Sequence, residues 1–105
     1  MAKIDWSMVA VEDLSNIRDY IARDAPMYGQ RFIEKILAAV EKLAEFPLLG
    51  RQVPEANDAD IRELIFQSYR ILYRVEESAQ RVLILAVVHG RRSLGGDGEQ
   101  PWEMS

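Results

Sequence analysis

Residues 69–75, Tyr69-Arg70-Ile71-Leu72-Tyr73-Arg74-Val75, alternate without interruption. A period of two puts Tyr69, Ile71, Tyr73 and Val75 on one face of a strand and Arg70, Leu72 and Arg74 on the other. Just before it, Ile61 to Phe66 reads as a short strand. After the polar turn Glu76-Glu77-Ser78-Ala79, residues Arg81 to Val88 are almost continuously apolar. Such a run suits a strand covered on both faces or central in its sheet. Short links between the three strands predict an antiparallel meander.

Upstream, the period is helical. Ala10, Leu14, Ile17 and Ile21 recur at spacings of four, three and four, which predicts a helix over residues 8–23. Ser7 is placed to cap it, although Ala10 stands where a capping box would need Glu. Pro26 suits a first helical turn. The stripe Gly29, Phe32, Ile33, Ile36, Leu37, Val40, Leu43 and Ala44 extends a second helix to about Glu45. The short connection makes the helices antiparallel neighbours, each with an apolar stripe to bury. Phe46-Pro47-Leu48-Leu49-Gly50-Arg51 ends the helical pattern, and residues 50–60 read as an irregular connection. The expected fold is α+β: a short N-terminal strand and an antiparallel helical hairpin packed on a small antiparallel meander. Residues 1–92 form the single domain, and residues 93–105 are expected to be a flexible, acidic, Gly-rich tail.

A chain of 105 residues has the length of one domain. It contains no cysteine, which excludes disulfides, a zinc–thiolate site and a thiol nucleophile. A single histidine, His89, excludes a multi-histidine metal site. Gly95-Gly96-Asp97-Gly98 fails as a phosphate loop, because no helix and no Lys-Ser/Thr follow. No cofactor is expected. No apolar run nears the roughly 20 residues of a membrane span, and Asp5 falls where a signal peptide would be apolar. The reading is a soluble cytoplasmic protein with no membrane partner.

Charge is unevenly spread. Residues 1–60 hold seven Lys/Arg against eleven Asp/Glu, residues 61–92 six Arg against three Glu, and residues 93–105 three acids and no base. A strong grip on bare nucleic acid would need more positive charge than this. A basic patch facing an acidic partner fits better.

Several local features resemble the ParE/RelE superfamily of bacterial type II toxins. They are Trp6, Ala10, Asp13-Leu14, Ile17 and Tyr20-Ile21 in the first helix; Phe46-Pro47, Gly50-Arg51 and Val53-Pro54-Glu55 after the second; and Arg62-Glu63-Leu64, Tyr69-Arg70-Ile71, Tyr73-Arg74-Val75 and Val88-His89-Gly90-Arg91-Arg92 along the strands. The resemblance spans about residues 2–92. It implies a plasmid-stabilisation type of toxin–antitoxin pair. The partner would be a ParD-like ribbon-helix-helix antitoxin whose disordered tail folds on the toxin, giving a hetero-oligomer. DNA would then be touched only through the antitoxin or the target.

Within the superfamily, ParE-like members resemble DNA gyrase inhibitors, and RelE-like members resemble ribosome-dependent mRNA endonucleases. The latter imply a base, an acid and phosphate-holding cations, supplied by lysines on the strand before the Tyr-Arg strand, arginines, and a tyrosine near the C-terminus. Here Ile61 and Glu63 stand at about the lysine positions, and Ser93-Leu94-Gly95-Gly96-Asp97 contains no tyrosine. The ParE-like, non-enzymatic branch is therefore expected, with Arg70, Arg74, Arg91 and Arg92 contacting the target or antitoxin. The endonuclease alternative would place Arg70, His89 and Arg91 in catalytic positions. A toxin that keeps only its antitoxin-binding role is a third reading.

Each candidate also has a plainer role. Arg70 and Arg74 could be salt-bridged to Glu63, Glu76 or Glu77. His89 could bond a neighbouring carbonyl at a strand end, and Arg91-Arg92 could be a solvated turn. Tyr69, Tyr73, Trp6 and Phe46 are expected in the core. Trp102 is either an anchor on the body or an interface residue.

Overall fold

The structure is a computed structural model, and it describes residues 1–90, 94 and 100–103. Chain order runs β1 (Lys3–Trp6), α1 (Met8–Ala22), α2 (Pro26–Glu45), β2 (Arg51–Gln52), β3 (Ile61–Phe66), β4 (Tyr69–Glu76) and β5 (Arg81–His89). Three short 3-10 turns lie at Pro54–Ala56, Glu77–Ala79 and Pro101–Glu103.

The expected meander β3-β4-β5 is present, and the full sheet is larger, in the order β1-β5-β4-β3-β2. It is mixed, because β1 lies parallel to β5, with Lys3 opposite Arg81 and Trp6 opposite Ile84. The helical hairpin returns the chain to the far edge of the meander, which lets an N-terminal strand pair in parallel with the last one. The apolar run of β5 is thus explained by its place between β1 and β4. β2 is the second addition. Its two residues pair with Glu63 and Arg62, too short a match for any periodicity to reveal.

The face assignment of β4 holds. Ile71, Tyr73 and Val75 join Ile36, Val40, Leu43, Val82, Ile84 and Val87 in the core beneath the helices. Leu72 belongs to a second cluster on the outer face, with Val53, Ile61, Leu85, Ala86, Val88 and Leu94. The β4–β5 register shifts between Leu72 and Tyr73, whose partners are Ala86 and Ile84. That bulge leaves Leu85 as an extra residue, so Leu85 and Ala86 both fall in the outer cluster. Phe46 departs from expectation. It ends α2 and is 57% exposed, because Pro47 turns the chain away just as the helical stripe stops.

Beyond Trp6, β1 no longer covers the edge of β5. The N-cap residue Ser7 and a side chain of α1 take over its backbone groups, as buried amides and carbonyls require. The Ser7 hydroxyl donates to the Leu85 carbonyl (2.9 Å) and accepts the Ala10 amide (3.0 Å). The Asp13 carboxylate accepts the Val87 amide at 2.9 Å. Ser7 therefore caps a helix and pins it to the sheet. Ser7→Ala is expected to cost about 1–2 kcal/mol, read as a shift in the urea midpoint. A loss of only a few tenths would mean that water replaces both bonds.

Candidate functional site

β-sheet register gathers charge at one corner of the outer face. Arg51 lies directly opposite Glu63 in the β2–β3 pair. Glu63 lies opposite Leu72 in the β3–β4 pair, so Arg70, two residues before Leu72, is its diagonal neighbour on the same face. Glu63 is consequently flanked by two guanidiniums. Its side chain has no solvent exposure, and it accepts from Arg70 Nε and Arg51 Nε. The turn Pro54–Ala56 swings Glu55 over the same corner. Arg70 Nη1 and Nη2 each donate to one Glu55 oxygen, at 3.1 and 3.0 Å. This is the bidentate geometry a planar guanidinium favours.

The corner borders a groove of about 540 Å³ lined by Arg51, Glu55, Ile65, Tyr69, Arg70 and His89, among others. Tyr69 and His89 are register partners, and their rings meet edge to face with centroids 5.5 Å apart. His89 is solvent-exposed at the end of β5. An aromatic chain continues inward, from Tyr69 to Phe32 at 5.6 Å and from Phe32 to Phe66 at 5.5 Å.

A third element stiffens the corner. Tyr73 is fully buried. Its hydroxyl accepts the Gly50 amide (2.8 Å) and donates to the Pro47 carbonyl (2.9 Å). Arg62 Nη1 donates to the Gly50 carbonyl at 2.8 Å. These bonds fix the strand entry that carries Arg51. Burial pushes the Tyr73 hydroxyl pKa up, so it stays a donor at neutral pH.

The hydrogen bonds from Arg70 hold the Glu55 carboxyl below its ordinary value, against some opposing desolvation. The same bonds, Glu55 first, raise the Arg70 guanidinium above its ordinary value. The sign follows from linkage: a depressed carboxyl stabilises the fold above the unfolded pKa of about 4.3, and that contribution disappears as pH falls through the folded value. Glu55→Gln should therefore flatten the acid limb. Thermal midpoints of the wild type should drop faster than those of the variant below about pH 4.3, and identical profiles would refute the pairing.

The sequence candidates separate. Arg70 and His89 line one groove. Arg70 is 8% exposed, so it is a buried member of an ionic cluster, and the salt bridge to Glu63 is the plainer role realised. Arg74 shares its face but lies four residues along, roughly 13 Å at strand rise. Its Nη2 donates to the Trp102 carbonyl at 2.6 Å, and its Nη1 is 4.0 Å from Asp58. Glu76 pairs instead with Arg81, at 2.7 Å. Arg91 and Arg92 lie outside the described residues. Arg51 and Glu55 are site residues the sequence reading did not assign. Their position inside the irregular connection of residues 50–60 hides which strand they meet, and only alternation along β3, which puts Glu63 on the Ile61 face, hints at a buried acid seeking cations. Among the described residues, no His/Asp/Glu group gathers to hold a metal ion, and no helix is long and apolar enough to cross a membrane.

Comparison with known proteins gives a concordant result. Residues 4–94 match a family model described as the ParE toxin of the type II toxin–antitoxin system parDE. The chain is 36% identical over 93 residues to Toxin RelE2 of Caulobacter vibrioides, covering 88% of this chain and 99% of that one. It is 33% identical over 92 residues to Y4kP of Sinorhizobium fredii, covering 86% and 90%. Among solved structures, a chain of the chromosomal ParDE system from P. aeruginosa superposes with a TM-score of 0.71 at 21% identity, covering 85% of this chain and 96% of that one. The isolated E. coli RelE toxin superposes at 0.65 and 17%, covering 89% and 88%. These two structural likenesses are likenesses of fold.

Proposed function

Because the chain belongs to the ParE toxin family of type II toxin–antitoxin systems, we propose that it acts as a ParE-like poison of DNA gyrase, held inactive by a cognate antitoxin. One observation carries the choice against RNA cleavage. The Arg70 guanidinium, the more buried of the two that line the groove, spends all three nitrogens on Glu55 and Glu63. A phosphate entering beside Arg70 would meet the Glu55 carboxylate and a neutralised arginine, and the other guanidinium of the lining, Arg51, is itself paired through Nε with Glu63. Phosphoryl chemistry needs the reverse, an open cation aimed at developing negative charge. At about the two positions where the resemblance implies lysines in an endonuclease stand Ile61 and Glu63, one apolar and one acidic, both buried. The proposal therefore assigns no catalytic residue.

The antitoxin on this reading is a ParD-like ribbon-helix-helix protein with an acidic amphipathic tail, and Arg91 and Arg92 form the contact surface for target or antitoxin. The test is supercoiling by purified gyrase with the toxin freed from its antitoxin. Loss of supercoiling with trapped cleaved DNA is expected. In cells, Arg91→Ala with Arg92→Ala should abolish growth arrest while leaving circular dichroism and thermal midpoint unchanged. Growth arrest with gyrase unaffected would overturn the proposal. Cleavage of ribosome-bound mRNA would then support the endonuclease reading, with His89 and Arg70 the first residues to replace. Harmlessness in the absence of any antitoxin would support a chain that retains only partner binding.

A further inference from the structure

Phe46, Leu48 and Leu49 follow one another at the end of α2, and each is more than half exposed. Their backbone is firmly held. The Phe46 amide donates to the Lys42 carbonyl at 2.9 Å, and the Leu49 amide to the Phe46 carbonyl at 3.0 Å. The buried Tyr73 hydroxyl takes the Gly50 amide and donates to the Pro47 carbonyl, so it pins the chain on both sides of Leu48 and Leu49. These side chains therefore face water on a frame that does not let them fold inward. Contiguous exposed apolar surface marks an interaction site, and a rigid frame removes the ordering cost of binding.

Beside Leu48 the surface dips into a groove of about 360 Å³. Ala44, Pro47 and Val75 give it apolar lining, and Glu45, Glu76 and Glu77 line it with charge. The cations there are the Met1 amino terminus and Arg81, and Arg81 is committed to Glu76 at 2.7 Å and Asp5 at 3.4 Å. Glu45 and Glu77 are exposed. An apolar lining with carboxylates at its edge fits a side chain that is aliphatic along its stem and cationic at its tip, Lys or Arg. An acidic antitoxin tail would meet like charge here. The β4–β5 register, Tyr69 opposite His89 and Glu76 opposite Arg81, puts the groove roughly 23 Å along β4 from His89 at strand rise. We propose that Phe46, Leu48, Leu49 and this groove are a docking surface for the toxin's protein target, and that they take a segment presenting Lys or Arg beside apolar side chains. The exposed apolar residues supply burial, and the carboxylates select the partner. This rests on reading the chain as a toxin that acts by binding a protein, and it adds a second contact remote from the strand end that leads to Arg91 and Arg92.

Two variants of the full chain test it: Leu48→Ser with Leu49→Ser, and Glu45→Lys with Glu77→Lys. All four positions are exposed, so both variants should keep the wild-type thermal midpoint. Each should bind purified gyrase at least about tenfold more weakly than the wild type, lose growth arrest in cells, and keep wild-type affinity for the cognate antitoxin. Growth arrest reads the surface whichever protein is the target. Should the wild type arrest growth and leave gyrase untouched, the gyrase assignment falls, while loss of arrest in both variants still supports the docking surface. Four results would overturn it. Variants that arrest growth like the wild type make the surface idle, and variants that lose antitoxin binding as well assign it to the antitoxin. A wild-type dimer in sedimentation that Leu48→Ser with Leu49→Ser dissolves assigns it to a second copy of the chain. Loss of arrest in the serine variant alone, with the lysine variant fully active, removes the basic segment from the proposal and with it the stated partner.

Discussion

Arg70→Ala is expected to lower the unfolding free energy by about 3–5 kcal/mol, the usual cost of stranding a buried charge by removing its partner. The stranded group is Glu63, whose side chain has no solvent exposure. Arg51 would remain as its partner, but that side chain is 65% exposed and hydrated, so it cannot replace a buried guanidinium. Total stabilities of small domains are about 5–15 kcal/mol, so the variant should sit near its threshold of folding. Urea denaturation of the purified chain measures this. The companion variant matters as much. Replacing the buried pair together, Glu63→Leu with Arg70→Met, removes the desolvated charges and keeps the volume. It should recover most of the loss, because apolar substitutes for a buried ion pair are often neutral or better. If Arg70→Ala costs less than about 1 kcal/mol, the value of a surface pair, the cluster is wet. The phosphate-holding reading of the groove would then regain its footing.

This prediction also separates what the sequence made legible from what it hid. Alternation from Tyr69 to Val75 placed Arg70 on the outer face, and the structure agrees, because a half-buried strand has one register that keeps its apolar face inward. Helical spacing from Ala10 to Ile21 and from Gly29 to Ala44 likewise found both helices. Three features escaped. The parallel pairing of Lys3–Trp6 with Arg81–Ile84 joins residues nearly eighty positions apart, and no local period encodes a partner. The two residues of β2 are too few to show alternation. Glu55 and Arg51 lie in a stretch of Gly, Pro, Asn and acids, where residue type signals a turn but not its destination. The candidate site was therefore half legible. Its strand-borne members, Arg70 and His89, could be read from the sequence. The carboxylate that neutralises Arg70 from above could not, and it reverses what that arginine can do. Trp102 is a similar case: as a lone aromatic in an acidic tail it allowed two readings, and the Arg74 bond to its carbonyl selects the anchor.

Gly50→Ala should be nearly as damaging as loss of Arg70, by a different route. A Cβ at residue 50 would collide with the carbonyl oxygen of Glu63 and come within 2.7 Å of the Tyr73 hydroxyl. The first obstacle is backbone of the paired strand and cannot rotate aside. The second is a buried ring held by Gly50 and Pro47. Relief requires β2 to move off β3, which breaks the two-residue ladder, withdraws Arg51 from Glu63 and leaves the Tyr73 hydroxyl without its donor. Overpacking of this kind costs about 1–3 kcal/mol, and a polar group left unsatisfied adds about 1–3 kcal/mol. Thermal melts should therefore show a loss of about 2–6 kcal/mol. Tyr73→Phe provides the reference, since it removes the hydroxyl without adding a clash. It should cost only the hydrogen-bond part, about 1–3 kcal/mol. The order of the two variants is the decisive result. If Gly50→Ala proves milder than Tyr73→Phe, β2 yields easily, and the edge carrying Arg51 is a movable flap over the groove. If Gly50→Ala is the worse, the edge is rigid, and Arg51, Glu63 and Arg70 are held as one unit before any partner arrives.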